Sequence, residues 1–256
     1  CPYVSDEARE QLAEASAPLI LPVQIGKGVR KRTIGGETVL YRHEKTFYNQ
    51  TVIAAKVGSD ISDDELKKKL TTWNAFQFER VGYNMRPEMV AVEDVNGDKD
   101  AFAKVAKTIA DTSEFNLILM SENADVMKAG VEATAFKAPL IYAATDKTVD
   151  DFGNLAKEND LPLAVKADSI ENLTPLTDKL VGMGLKRLVI DSGSREVKQA
   201  FQDQVAIRRA ALKAGNRSLG FPTITFPCEM ASNLEMETLI AGMFIAKYGA
   251  ITVLSD

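Results

Sequence analysis

Beyond Gln50 the chain is a succession of short apolar runs separated by longer stretches in which apolar residues recur every three or four positions. Eight runs stand out, at 51–57, 89–93, 116–120, 139–143, 162–166, 187–191, 223–226 and 251–254. Between them lie seven amphipathic patterns: SDDELKKKLTTWNAFQFERVG, DAFAKVAKTIAD, ENADVMKAGVEAT, TVDDFGNLAKEND, SIENLTPLTDKLVGMG, REVKQAFQDQVAIRRAALKAG and NLEMETLIAGMFIAKYG. Runs that are apolar throughout, rather than alternating, predict strands buried on both faces and therefore a parallel sheet. Eight such strands with helical crossovers predict an α/β fold, a (β/α)8 TIM-like barrel, with a doubly wound open sheet as the second choice. Ser62 and Ser169 open two of the helices as N-caps, and Gly130, Gly184, Gly215 and Gly249 are placed at or near helix ends. A helix following the eighth strand would fall beyond Asp256.

The first fifty residues have a different texture. SDEAREQLAEAS, 5–16, has a capping serine, acidic residues in its first turn and Pro18 beyond its end, which predicts a short helix. LPVQIGKGVRKRTIGGETVLYRHEKTF alternates apolar and polar residues around Gly26-Lys27-Gly28 and Gly35-Gly36, the pattern of a small β-meander. The expected division is 1–20 as a linker helix with the end of a preceding domain, 21–50 as the meander, and 51–256 as the barrel.

Composition narrows the function classes. With 45% hydrophobic and 26% charged residues the chain can bury a large core. A net charge of −5 and a pI near 5.2 give no basic footprint, so nucleic acid is not an expected partner. Two cysteines, Cys1 and Cys228, make no disulfide framework and fit a reducing cytoplasm. The most apolar tract, 239–254, is interrupted by Lys247 and Gly249 and is too short to span a bilayer, so no membrane is expected. The chain starts at cysteine and stops directly after a strand pattern, and the expectation is a segment of a longer polypeptide.

In a barrel of this kind chemistry is carried by strand ends and the loops that follow them. That rule selects Lys56, Glu93, Asp94, Asn96, Ser121, Glu122, Asn123, Thr145, Asp146, Lys166, Asp168, Asp191, Ser192, Ser194, Cys228 and Glu229. Lys166 has the position of a Schiff-base lysine, which needs a desolvated amine, although a strand-end lysine also serves as an ion-pair partner. EDVNGDKD, 93–100, crowds oxygen ligands, but its glycine is fourth from Asp94 and position twelve is Val105, so it reads as a turn and helix cap rather than a calcium loop. VGMG, 181–184, precedes a strand and is no dinucleotide fingerprint. His43 is the only histidine, set among Arg42, Glu44 and Lys45, and reads as scaffold.

Four stretches give a more specific picture: CPYVSDEA at Cys1, ETVLYRHEKTFYNQT at Glu37, DSGS at Asp191 and FPTITFPCEM at Phe221. Together they resemble the large (gamma) subunit of the corrinoid iron-sulfur protein of the acetyl-CoA pathway and of the acetyl-CoA decarbonylase/synthase complexes, over essentially the whole chain. The resemblance implies three modules, an N-terminal [4Fe-4S] domain, a central barrel and a C-terminal corrinoid domain, of which this chain matches the end of the first and nearly all of the second. It implies a methyl carrier that takes a methyl group from methyltetrahydrofolate through a methyltransferase and delivers it to acetyl-CoA synthase. It also implies a small barrel subunit, that methyltransferase and CO dehydrogenase/acetyl-CoA synthase as partners. Corrinoid and [4Fe-4S] are its implied cofactors, with neither expected to be held by this chain alone. Cys1 becomes the expected last thiolate of the cluster, in keeping with the proline that follows such cysteines in ferredoxin-type runs. The competing expectation is a self-sufficient barrel enzyme, either a Schiff-base lyase using Lys166 or a pterin-dependent methyltransferase using Asn96 and Asp191.

Overall fold

The computed structural model describes residues 4–41 and 49–255. His43 and Cys1 lie outside the described residues. In chain order the elements are α1 (Asp6–Ser16), β1 (Val23–Ile25), β2 (Arg32–Ile34), β3 (Val52–Gly58), α2 (Asp63–Ala75), β4 (Phe78–Arg80), β5 (Tyr83–Met85), β6 (Met89–Glu93), α3 (Lys99–Thr112) and β7 (Asn116–Met120). They continue with α4 (Ala124–Thr134), β8 (Leu140–Ala144), α5 (Val149–Glu158), β9 (Leu163–Lys166), α6 (Ile170–Gly182), β10 (Leu188–Asp191), α7 (Val197–Lys213), β11 (Thr223–Thr225), α8 (Leu234–Ala246) and β12 (Gly249–Leu254). Strands β3, β6, β7, β8, β9, β10, β11 and β12 close into a parallel barrel in that order, with β12 pairing back onto β3. This is the predicted TIM-like barrel, and the open sheet is excluded by closure.

Two apolar layers hold it. One lies between strands and helices, where Val57, Val90, Leu117, Ile141, Val165 and Ile190 pack against Phe102, Ile109, Phe152 and Leu173. The other fills the lumen with alternate strand residues: Val52 and Ala54, Met89 and Ala91, Ile118 and Met120, Leu140 and Tyr142, Ala164, Val189, Ile224 and Phe226, Ile251 and Val253. The period of two then fixes what comes next on each strand. Lys56, Glu93, Lys166 and Asp191 fall on the lumen side of the carboxyl-terminal mouth.

The β1–β2 hairpin closes the opposite end. Val23, Ile25 and Ile34 are completely buried in the lumen cluster, each contributing at most about 1.5–3 kcal/mol of apolar burial. Asn116 clamps the hairpin turn: its Oδ1 accepts from Lys27 N at 3.1 Å and its Nδ2 donates to Arg30 O at 2.6 Å. Gly26 has φ +68°, and a Cβ there would overlap the Asn116 carboxamide, so this position needs glycine both for conformation and for space. Of the expected meander only these two strands form among the described residues, and 35–41 carry no strand.

The helices follow the sequence signals with three differences. Ser62 and Ser169 cap as expected, accepting from Glu65 N and Asn172 N. The first pattern, however, is helical only to Ala75, and FERVGYNM folds as the β4–β5 hairpin. Gly130 is not at a helix end. It lies inside α4 where it lets Phe102 of α3 approach. Before β12 the left-handed position is taken by Tyr248, φ +71°, and not by Gly249.

Candidate functional site

The mouth of the barrel is a network of paired charges. Tyr142, from β8, donates its hydroxyl proton to Asp191 Oδ2 at 2.6 Å. Arg195, in the loop after β10, donates from Nη2 to the same oxygen at 2.9 Å and to the Tyr142 hydroxyl oxygen at 2.9 Å. Its Nε donates to Glu229 Oε2 at 2.5 Å, and its guanidinium lies 4.6 Å over the Phe226 ring. Glu229 in turn meets Lys56 Nζ at 3.3 Å, and Lys56 meets Glu93 at 3.2 Å. Asp191 is 3% exposed, and its charge is satisfied by three donors, the Tyr142 hydroxyl, the Arg195 guanidinium and the Gly193 backbone N–H at 2.8 Å.

The electrostatics follow from burial and pairing. Burial, helped by the Asp191 charge, holds the Tyr142 hydroxyl well above its ordinary pKa. For Arg195 burial opposes the charge, yet Asp191, Tyr142 and Glu229 outweigh it and raise the pKa. Lys56 is similar: burial works against the ammonium, and Glu93 and Glu229 together lift its pKa above the ordinary lysine value. Burial pushes the Cys228 thiol up to about 12, against the pull of Lys56, so it is a poor nucleophile at neutral pH.

The other rim residues are mostly structural. Asp94 accepts from Ser121 Oγ at 2.8 Å and from Gly97 N at 2.7 Å, and Asp98 caps α3, so 93–100 is a turn and helix cap. Asn123 caps α4, Thr145 pairs with Thr148 at 3.1 Å, Ser194 donates to Asp203 and Ser192 is buried. Asp168 accepts from Asn172. Asn96 is exposed in its loop. Lys166 is a third exposed and 3.7 Å from Glu122. Together with Asp94, Ser121, Tyr142, Arg195 and Glu229 it lines a depression of about 430 Å3, and with Asp146 and Asp168 a neighbouring one of about 530 Å3.

Sequence reasoning missed Tyr142 and Arg195. Tyr142 is hidden in the apolar run LIYAA, and only the alternation along β8 places it in the lumen; Arg195 follows the noted DSGS by one residue.

The identity of the chain comes from its likeness to known proteins. A profile of the family described as CO dehydrogenase/acetyl-CoA synthase delta subunit matches residues 22–256. The chain belongs to this family. Among curated relatives of this CO dehydrogenase/acetyl-CoA synthase family member, the corrinoid/iron-sulfur protein large subunit of Moorella thermoacetica is 41% identical over 99% of the chain and 56% of its own length. The acetyl-CoA decarbonylase/synthase complex subunit gamma of Methanopyrus kandleri is 31% identical over 99% of the chain and 57% of its own length. The chain thus spans a little over half of the relatives it matches. In fold it is similar to the 7,8-dihydropteroate synthase of Vibrio fischeri, with TM-score 0.59 over 80% of this chain and 87% of that one at 14% identity. No helix among the described residues is long and apolar enough to cross a membrane.

Two cofactors, a corrinoid and an iron-sulfur cluster, are implied by the relatives' names, and the described residues offer no ligand set for the cluster. No group of three or more His, Cys, Asp or Glu among them is placed to hold a metal, and Cys228 is a single thiol held protonated.

Proposed function

We propose that this chain is the barrel scaffold of a corrinoid iron-sulfur methyl carrier, one that receives a methyl group from methyltetrahydrofolate through a separate methyltransferase and passes it to acetyl-CoA synthase. The observation that carries the reading is family membership over 22–256 combined with a barrel mouth whose buried charges are spent on one another. On this reading corrinoid and cluster are held by polypeptide outside the described residues, and no step of the methyl chemistry is assigned to the barrel. Residues 1–20 end an iron-sulfur domain with Cys1 as a cluster thiolate, 21–50 lead into the barrel, and 51–256 form it. The partners are a small barrel subunit, the methyltransferase and CO dehydrogenase/acetyl-CoA synthase, in the cytoplasm.

The enzyme reading has less behind it. Lys166 is neither enclosed nor free of a carboxylate, Asp191 is committed to Tyr142 and Arg195, and Asn96 is out in solvent. The test is transfer of labelled methyl from methyltetrahydrofolate to the longer polypeptide carrying Lys166→Met. Label should arrive only when methyltransferase is added, and as fast as in the parent. Transfer without methyltransferase, or its loss in Lys166→Met, would overturn the scaffold reading.

A further inference from the structure

The β4–β5 hairpin is an amphipathic ribbon whose apolar side is left open. Its register pairs Phe78 with Met85 and Arg80 with Tyr83 on one face, and Glu79 with Asn84 on the other. Phe76, which ends α2, stacks edge-on against Phe78 at 6.0 Å and extends the first face. A ribbon of this kind ordinarily lays its apolar side on its own domain, because a lone two-stranded hairpin is marginal in water. Here Phe76 is 59% exposed, Phe78 49%, Val81 88%, Tyr83 60% and Met85 38%. One third of the large hydrophobic side chains exposed among the described residues thus fall within ten positions, a concentration that marks an interaction site rather than scattered surface.

The charge around the ribbon says what covers it. The ribbon lies at the amino-terminal end of the barrel, and the residues flanking it are tied to the β1–β2 turn by Arg30 on Pro87 O and Asn74 and by Arg32 on Glu88. Segments 26–32 and 74–88 present Lys27, Lys31, Arg32, Arg80 and Arg86 against Glu79 at the surface, with Arg30 and Glu88 buried between them, in a chain of net charge −5. The opposite pole is acidic: the strand-end loops and first helical turns at 56–66, 93–101, 121–126, 145–151, 166–171, 191–198 and 226–237 hold twenty of the 36 acidic residues and six of the 31 basic ones. Aromatic, methionine and arginine side chains are the usual anchors of protein interfaces.

We propose that the β4–β5 hairpin is a docking element for a protein partner, and that the partner presents an apolar patch rimmed with acidic residues. The occupant is the small barrel subunit of the assembly, so the proposal rests on the partner reading above. An aromatic ribbon with basic surroundings would also suit an anionic membrane, but the net negative charge of the chain and its kinship with named complex subunits favour protein.

The test measures binding of the longer polypeptide to its co-purified small subunit by calorimetry and sedimentation. The variants are Phe78→Ser with Tyr83→Ser, Arg80→Glu, and Leu239→Ser as a control at an exposed apolar site on α8. Removing two aromatic anchors should weaken binding about 30-fold or more. Arg80→Glu should weaken it about 3- to 10-fold and flatten its salt dependence, and Leu239→Ser should leave it unchanged. Circular dichroism checks folding, and Arg80→Glu carries the test if the double variant misfolds. Full binding by folded hairpin variants overturns the docking element while leaving the assembly reading intact. No binding by the parent overturns both. If the variants change only self-association, or only binding to vesicles containing phosphatidylserine, the occupant is a second copy or a membrane and the proposal fails.

Discussion

Tyr142 and Asp191 meet at 2.6 Å across the mouth of the barrel, from strands β8 and β10 that are separated by β9. A lumen-facing hydroxyl and a lumen-facing carboxylate thereby fasten two strands that share no ladder, and Arg195 closes the arrangement from above.

Removing members of this arrangement should have unequal costs. Tyr142→Phe deletes one hydrogen bond and leaves Asp191 paired with Arg195, so urea unfolding should show a loss of about 1–2 kcal/mol. Asp191→Ala takes the acceptor from the buried Tyr142 hydroxyl proton and leaves Arg195 with Glu229 as its one carboxylate, and the expected loss is about 3–5 kcal/mol. Equal losses would mean that Tyr142 contributes as much as the carboxylate.

The hairpin plug gives a second expectation. Gly26→Ala forces a side chain into a left-handed position and against Asn116, and should cost about 2–4 kcal/mol. Asn116→Ala removes both clamps of the turn and should cost about 1–3 kcal/mol. Melting temperatures within a degree of the parent for both would show that the plug does not support the barrel.

Cys228 should behave as a buried thiol. With Cys1 replaced by serine, iodoacetamide alkylation of native protein should be slow at pH 8 and keep rising toward about pH 12, instead of levelling off near 9. The sign for stability follows. The folded state holds the proton more tightly than the unfolded state, so this contribution is fully present below about pH 9 and is lost as pH rises toward 12. A plateau in the alkylation rate near pH 9 would contradict the burial account.

Much of this fold is legible in the sequence. The apolar runs mark each barrel strand to within two residues because strands buried on both faces are unbroken apolar runs. The β4–β5 hairpin was hidden for a specific reason. Its turn is Val81-Gly82 with φ of +50° and +78°, and a β-branched residue at a left-handed position gives no turn signal. Helical spacing therefore runs on in the sequence past Ala75. The rim residues could be named from strand ends, but not their partners. That Asp191 is spent on Tyr142 and Arg195, while Asn96 is left in solvent, depends on which strands the closed barrel brings together.

The central claim, that this barrel is a scaffold and not itself the seat of the corrinoid, is tested most directly by titrating the purified 256-residue chain with hydroxocobalamin. Cobalt that co-elutes with protein on gel filtration is then measured. The account predicts far less than one cobalt per chain, with the longer polypeptide retaining about one under the same conditions. Stoichiometric cobalt on the 256-residue chain, surviving gel filtration, would contradict it.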